Sequence, residues 1–194
     1  MKKILIPAIL LLSLPLLAAD KFFLALQGDF QQFTDADYKS IYGSSAFMPE
    51  FALSARIFKQ IHLRAAVSFL KQSGSTIAED VGGPQTTTHS QQTFIFIGPE
   101  YAAAAGKKMQ CRLYAGALFA SYKETTEDSS WQAVSGNAGG FEAGTGLWLS
   151  FGARIQAGVI VAFNHITDTI TIDGESVGIK LGGFKAGVGL GIRL

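Results

Sequence analysis

The sequence predicts an all-β protein, an eight-stranded antiparallel up-and-down transmembrane β-barrel preceded by a cleavable signal peptide. Three observations predict it. Lys185 to Leu194 alternates with a period of two, placing Ala186, Val188, Leu190, Ile192 and Leu194 on one face and Lys185, Gly187, Gly189, Gly191 and Arg193 on the other, as a strand with one apolar side does. Hydrophobic residues make up 48% of the chain and charged residues 16%, yet beyond the N-terminus no apolar run is long enough for a spanning helix. The connections between alternating segments are short and long by turns, the habit of membrane barrels.

The first element is the signal peptide, expected over residues 1–19. Lys2 and Lys3 form its charged start, Ile4 to Leu17 an apolar core interrupted by Pro7 and Pro15, and Ala18 and Ala19 the small residues a signal peptidase accepts. That core falls short of the roughly 20 residues a spanning helix needs, which favours cleavage before Asp20 over a retained anchor. No cysteine follows it, which argues against a lipid anchor. Residues 20–194 then form one barrel domain. Cys111 is the only cysteine, so no disulfide forms within the chain, and it reads as a small apolar strand residue. Without Lys2 and Lys3 the sixteen basic residues fall to fourteen, against fifteen acidic; near-neutrality gives no reason to expect nucleic acid as a partner.

Eight segments alternate. Lys21 to Phe33 sets Phe22, Leu24, Leu26 and Phe30 against Ala25, Gln27, Asp29 and Gln31. Phe47 to Phe58 sets Phe51, Leu53 and Ile57 against Glu50, Ser54 and Arg56, and Ile61 to Lys71 sets Leu63, Val67 and Phe69 against His62, Arg64 and Ser68. Gln92 to Ala104 is less regular, Ile95, Ile97 and Tyr101 opposing Phe94, Phe96, Gly98 and Glu100. Gln110 to Lys123, Ala138 to Ser150 and Ala153 to Asn164 continue the pattern, with Arg112, Glu142 and Arg154 on their polar faces. Ser176 to Leu194 contains the eighth. Pro49 and Pro99 interrupt the pattern, because proline removes a ladder donor; Pro99 is central and predicts a bulge or a shortened strand.

Short turns are expected at Lys59-Gln60, Ala105 to Met109 and Phe151-Gly152, and long loops at Thr34 to Ala46, Gln72 to Gln91, Glu124 to Asn137 and His165 to Glu175. Ten of the fifteen acidic residues fall in the long loops, while the short turns carry Lys59, Lys107 and Lys108. Short turns face the periplasm and long loops the outside in outer-membrane barrels.

Alternation alone does not say which face points inward. A soluble lipocalin-like barrel would hide the apolar face around an apolar ligand; a membrane barrel turns it to lipid. The polar face decides. It is mostly Gly, Ala and Ser with a sparse set of charges (Asp29, Glu50, Arg56, Arg64, Glu100, Arg112, Glu142, Arg154 and Lys185). Small residues fit the narrow lumen of eight strands, and enclosed charges of both signs can pair. The predicted lumen is packed, polar and too narrow for a general pore, with Arg56, Arg64, Glu100 and Glu142 holding it closed.

Three stretches carry a family resemblance: Phe94 to Tyr101 (FIFIGPEY), Phe141 to Ser150 (FEAGTGLWLS) and the C-terminal strand. Through them the chain resembles the small eight-stranded outer-membrane β-barrel proteins of the outer membrane protein A, X and W type. The resemblance implies the outer membrane of a Gram-negative-type bacterium, surrounding lipid and lipopolysaccharide, and a barrel-assembly machinery that commonly reads a terminal aromatic residue. This chain has Leu194 there.

Chemistry is sparse. His62 reads as a hydrogen-bonded lumen filler and His89 as a solvated loop residue. His165, with Asp168, Glu175 and Ser176 after it, has the residue types of a barrel-rim lipid A deacylase, in which a base activates serine, but no local motif of that family. The acidic loops could hold divalent cations bridging to lipopolysaccharide phosphates. No catalytic, cofactor-binding or metal-ligating residue is assigned. The expected role is non-enzymatic, structural or surface-interacting. A rim enzyme using His165 and Ser176, and a soluble periplasmic barrel, are the alternatives. Trp148 either plugs the lumen or joins an interfacial aromatic band, as register decides; Trp131 is expected in a loop.

Overall fold

Alternation sorts every strand into two faces, and the molecule closes those strands into one ring. The computed structural model describes residues 21–76, 86–127, 133–172 and 175–194. The expected signal peptide and Trp131 lie outside them. The elements are β1 (Phe22–Phe33), α1 (Ala36–Tyr42), β2 (Ser45–Phe58), β3 (Ile61–Thr76), β4 (Thr86–Ala104), β5 (Met109–Thr126), β6 (Val134–Phe151), β7 (Ile155–Ile172), β8 (Glu175–Lys180) and β9 (Gly183–Arg193). Each strand from β1 to β7 pairs antiparallel with the next, β7 pairs with β9, and β9 returns to β1.

β8 and β9 are two lengths of one stave. Asn164 faces Gly183 and Thr167 faces Lys180, so the register against β7 is unchanged across the break at Leu181-Gly182. The barrel has the eight staves the sequence predicts.

Long loops are the first correction. Most of Gln72 to Gln91 and Glu124 to Asn137 among the described residues is strand, Thr76 facing Thr86 and Glu124 facing Val134. Thr86 to Thr88, β-branched and suited to a pleated ladder, carry the sheet on beyond the apolar belt. Thr34 to Ala46 holds α1 rather than a loop. Asp35 caps that helix, its carboxylate accepting from the Tyr38 amide at 2.9 Å. Gly43 ends it at φ 86°, a conformation that favours glycine.

Pro99 produces neither a bulge nor a shortened strand. β4 runs nineteen residues through it. The ladder to β5 lapses at Gly98 and Pro99 but resumes in the same register, from Ile97 with Ala117 to Glu100 with Tyr114. Two glycines permit this: a Cβ on Gly98 would lie 2.6 Å from the Cα of Gly116. The register shift falls instead between Arg56 and Phe58, beside Lys59 at φ 45°.

The apolar faces point outward all round. Leu26, Phe51, Ile95, Phe119, Val161 and Leu190, each on a different strand, are all exposed. This removes the soluble-barrel alternative, in which these side chains would line the interior. The interior itself is not uniformly polar. Met48, Leu70, Leu118, Ile166 and Leu181 form an apolar layer in its long-hairpin half.

Candidate functional site

The lumen is blocked at three levels, each built from a different kind of side chain. At the short-turn end the plug is Trp148 on β6, 2% exposed. Its ring meets Phe23 edge-on at 5.0 Å. Glycines make its room: a Cβ would stand 2.5 Å from the ring at Gly158, 2.6 Å at Gly146 and 2.9 Å at Gly189. The alternating glycines of β9 and the large indole are one packing solution, and Trp148 belongs to the lumen rather than to an aromatic band.

Next comes a chain of six buried charges of alternating sign. Arg112 Nη1 lies 2.6 Å from Glu100. Glu100 lies 3.5 Å from Arg64, whose Nη2 is 2.6 Å from Glu50. Lys185 Nζ joins Glu50 at 2.8 Å to Glu142 at 2.9 Å. Six different strands contribute, and three positive charges balance three negative ones. Burying them is costly unless they pair. Here all do, and the Arg64 guanidinium also rests 4.5 Å from the Tyr114 ring centroid.

Sequence parity put nine charges in this lumen; the structure keeps seven. Arg56 and Arg154 share the right face but sit at the short-turn rim, exposed, so Arg56 does not help hold the lumen closed. Asp29, fully buried, has neither carboxylate oxygen hydrogen-bonded among the described residues.

At the long-hairpin end α1 lies across the mouth. The Tyr38 hydroxyl donates to Gln72 at 2.8 Å and accepts from Gln92 at 2.8 Å. Tyr42 donates to the Glu124 carboxylate. Burial pushes the Tyr38 hydroxyl up to about 12; burial, with the Glu124 hydrogen bond, raises Tyr42 further. Tyr122 donates to Asp168 at 2.6 Å beside them. Sequence reasoning missed this lid, although Asp35 and Gly43 are readable cap signals.

His62 lies inside as expected, its Nδ1 3.2 Å from the Gln60 carbonyl. His165 points outward against Phe141, whereas Asp168, three residues on, turns inward to Tyr122. Ser176 pairs with Thr171, six residues along β7 from His165, or roughly 20 Å at strand rise; its side chain lies outside what the structure describes. These residues are not brought together. A different trio is. His89, on a strand rather than in a loop, faces Ser73 across the β3–β4 ladder with Nδ1 2.9 Å from Oγ, and its Nε2 is 3.7 Å from Glu127. Among the described residues no three His, Cys, Asp or Glu side chains converge as metal ligands would. Cys111 is a free thiol beside Thr145.

No protein-family model matches the chain, and no curated protein matches it by sequence. Solved structures do match by shape. Neisserial surface protein A is 14% identical over 91% of this chain and 99% of its own, with a TM-score of 0.58. Outer membrane protein W of Escherichia coli is 13% identical over 91% of this chain and 98% of its own, at 0.54. The outer membrane protease of Escherichia coli is 12% identical over 90% of this chain and 79% of its own, at 0.51. The fold is that of the small outer-membrane β-barrels, and the apolar belt lies where such barrels meet lipid.

Proposed function

We propose that the protein is a non-enzymatic outer-membrane barrel with a structural or surface-interaction role, its short turns in the periplasm and its long hairpins and α1 at the cell surface. The observation that carries this reading is the triple closure of the lumen by Trp148, the six-charge chain and the tyrosine lid. A barrel so filled is a rigid mount and not a conduit. What it offers outward is the rim: α1 with Asp35 and Asp37, and the hairpin end at Glu127. Outer-membrane lipid and lipopolysaccharide surround it, and the barrel-assembly machinery inserts it. Planar-bilayer recording of the purified protein tests closure. No unitary conductance is expected, and a stable ohmic channel in most insertions would overturn the reading.

Ser73, His89 and Glu127 support a second reading, ester hydrolysis at the outer rim, since a serine hydroxyl beside an imidazole beside a carboxylate is the order an activated nucleophile requires. Labelling by a fluorophosphonate probe that disappears in Ser73→Ala would favour it. Absence of labelling, with unchanged membrane-lipid profiles, would leave the non-enzymatic reading standing.

A further inference from the structure

The two ends of the barrel carry opposite charge, and the short-turn end contains a built cavity. It encloses about 300 Å³ and is lined by Arg56, Lys59, His62, Arg112 and Arg193, with no carboxylate among its lining residues. Lys21, Lys107, Lys108 and Arg154 lie exposed on the same rim. Arg112 forms the rigid part, clamped by Glu100 and stacked 3.7 Å from the Phe23 ring centroid. Among the described residues Arg56 and Lys59 have no carboxylate within ion-pair distance.

Four cationic side chains from three regions of the rim line one polar hollow: Arg56 and Lys59 at the β2–β3 turn, Arg112 on β5, whose charge Glu100 balances, and Arg193 on β9, which donates to Ser150 at 3.4 Å. A single carboxylate would satisfy one guanidinium fork. A phosphate, with several charged oxygens in a tetrahedron, can engage several donors at once. The height of the hollow is marked by its neighbours. Ile57 and Phe58, beside Arg56, are 67% and 60% exposed, which sets this turn against lipid. The Lys59 ammonium lies 5.2 Å from the Phe58 ring centroid, at the edge of the hollow.

We propose that this pocket binds a phosphate group at the periplasmic face, presented by an anionic glycerophospholipid headgroup or as free phosphate. The apolar flank at Ile57 and Phe58 favours the lipid source.

The test uses the barrel purified in zwitterionic detergent and the variant Arg56→Gln/Lys59→Gln, both checked for the heat-dependent gel shift of a folded barrel. Native mass spectrometry reads retention of phosphatidylglycerol against phosphatidylcholine; phosphorus NMR line broadening reads inorganic phosphate. Wild type should retain phosphatidylglycerol about tenfold better than phosphatidylcholine, the worth of one charge-assisted contact, and the variant should lose that preference. Retention that millimolar phosphate does not displace assigns the lipid; displacement, with broadening that the variant lacks, assigns free phosphate. Equal retention of the two lipids without broadening in wild type overturns the proposal, as does a preference undiminished in the folded variant. If that variant does not fold, Arg193→Gln provides the same comparison.

Discussion

Lys185 on β9 reaches past β1 to hold Glu50 on β2, with its nitrogen 2.8 Å from the carboxylate and 2.9 Å from Glu142 on β6. One ammonium thus ties together three strands that are not neighbours. Lys185→Met should leave Glu50 with Arg64 alone and Glu142 without a cation. Breaking a buried pair from one side costs about 3–5 kcal/mol, to be read as a lowered urea midpoint of the refolded barrel. Adding Glu142→Gln should recover part of the loss. A Lys185→Met midpoint equal to wild type would show that the chain contributes nothing.

Asp29 is the lumen carboxylate that accepts no hydrogen bond among the described residues. It faces Gly187 closely enough that any side chain there would meet its carboxylate. Asp29→Asn keeps the shape and removes a buried carboxylate that accepts no hydrogen bond among the described residues, so the urea midpoint should be unchanged or higher. A fall of several kcal/mol would mean that the carboxylate has a partner.

Trp148→Ala removes the plug and leaves a cavity, which should cost about 3–5 kcal/mol. Gly158→Ala, which drives a Cβ into the same indole, should cost about 1–3 kcal/mol by overpacking. Neither should create conductance, because the charge chain and the lid remain. Ion flow through Trp148→Ala would place the sole barrier at the plug.

The lid should loosen in alkali. An unfolded tyrosine ionises near 10, whereas Tyr38 is held up to about 12 by burial. The folded lid keeps its proton more tightly, so its stabilisation is complete below pH 10 and is lost as the pH rises from about 10 to about 12. Amide hydrogen exchange of α1 should speed up over that range, and the part due to Tyr38 should be absent in Tyr38→Phe. Asp35→Ala should weaken the same helix by about 1 kcal/mol through loss of its cap.

Much of the barrel was legible because side-chain parity is a strict signal. A one-residue slip would send Leu26 inward and Gln27 into lipid, so the strand faces could be read without a partner. Parity carries no height, however. Arg56 and Arg64 share a face, yet only Arg64 lies deep enough to pair, because the bulge after Arg56 and the turn at Lys59 end the wall there. Polar composition also misplaced the loops: Thr86 to Gln91 reads as solvated coil by residue type, whereas its ladder with β3 continues into water. The short-turn pocket was invisible for another reason. Arg56, Arg112 and Arg193 lie far apart in sequence, and only closure of the ring brings them together.

That closure has a kinetic side. Every other ladder of the ring joins staves that follow one another in the chain, while β1 and β9 pair residues 150 to 170 positions apart, Phe33 with Gly183 and Phe23 with Arg193. Loop-closure entropy makes this seam the costliest join to close. The flat strip of hairpins can exist before it, but an enclosed interior cannot. Lys185 stands on the inner side of the seam, so the ion pairs that balance the lumen also act as its latch, engaging only when the strip has curled shut.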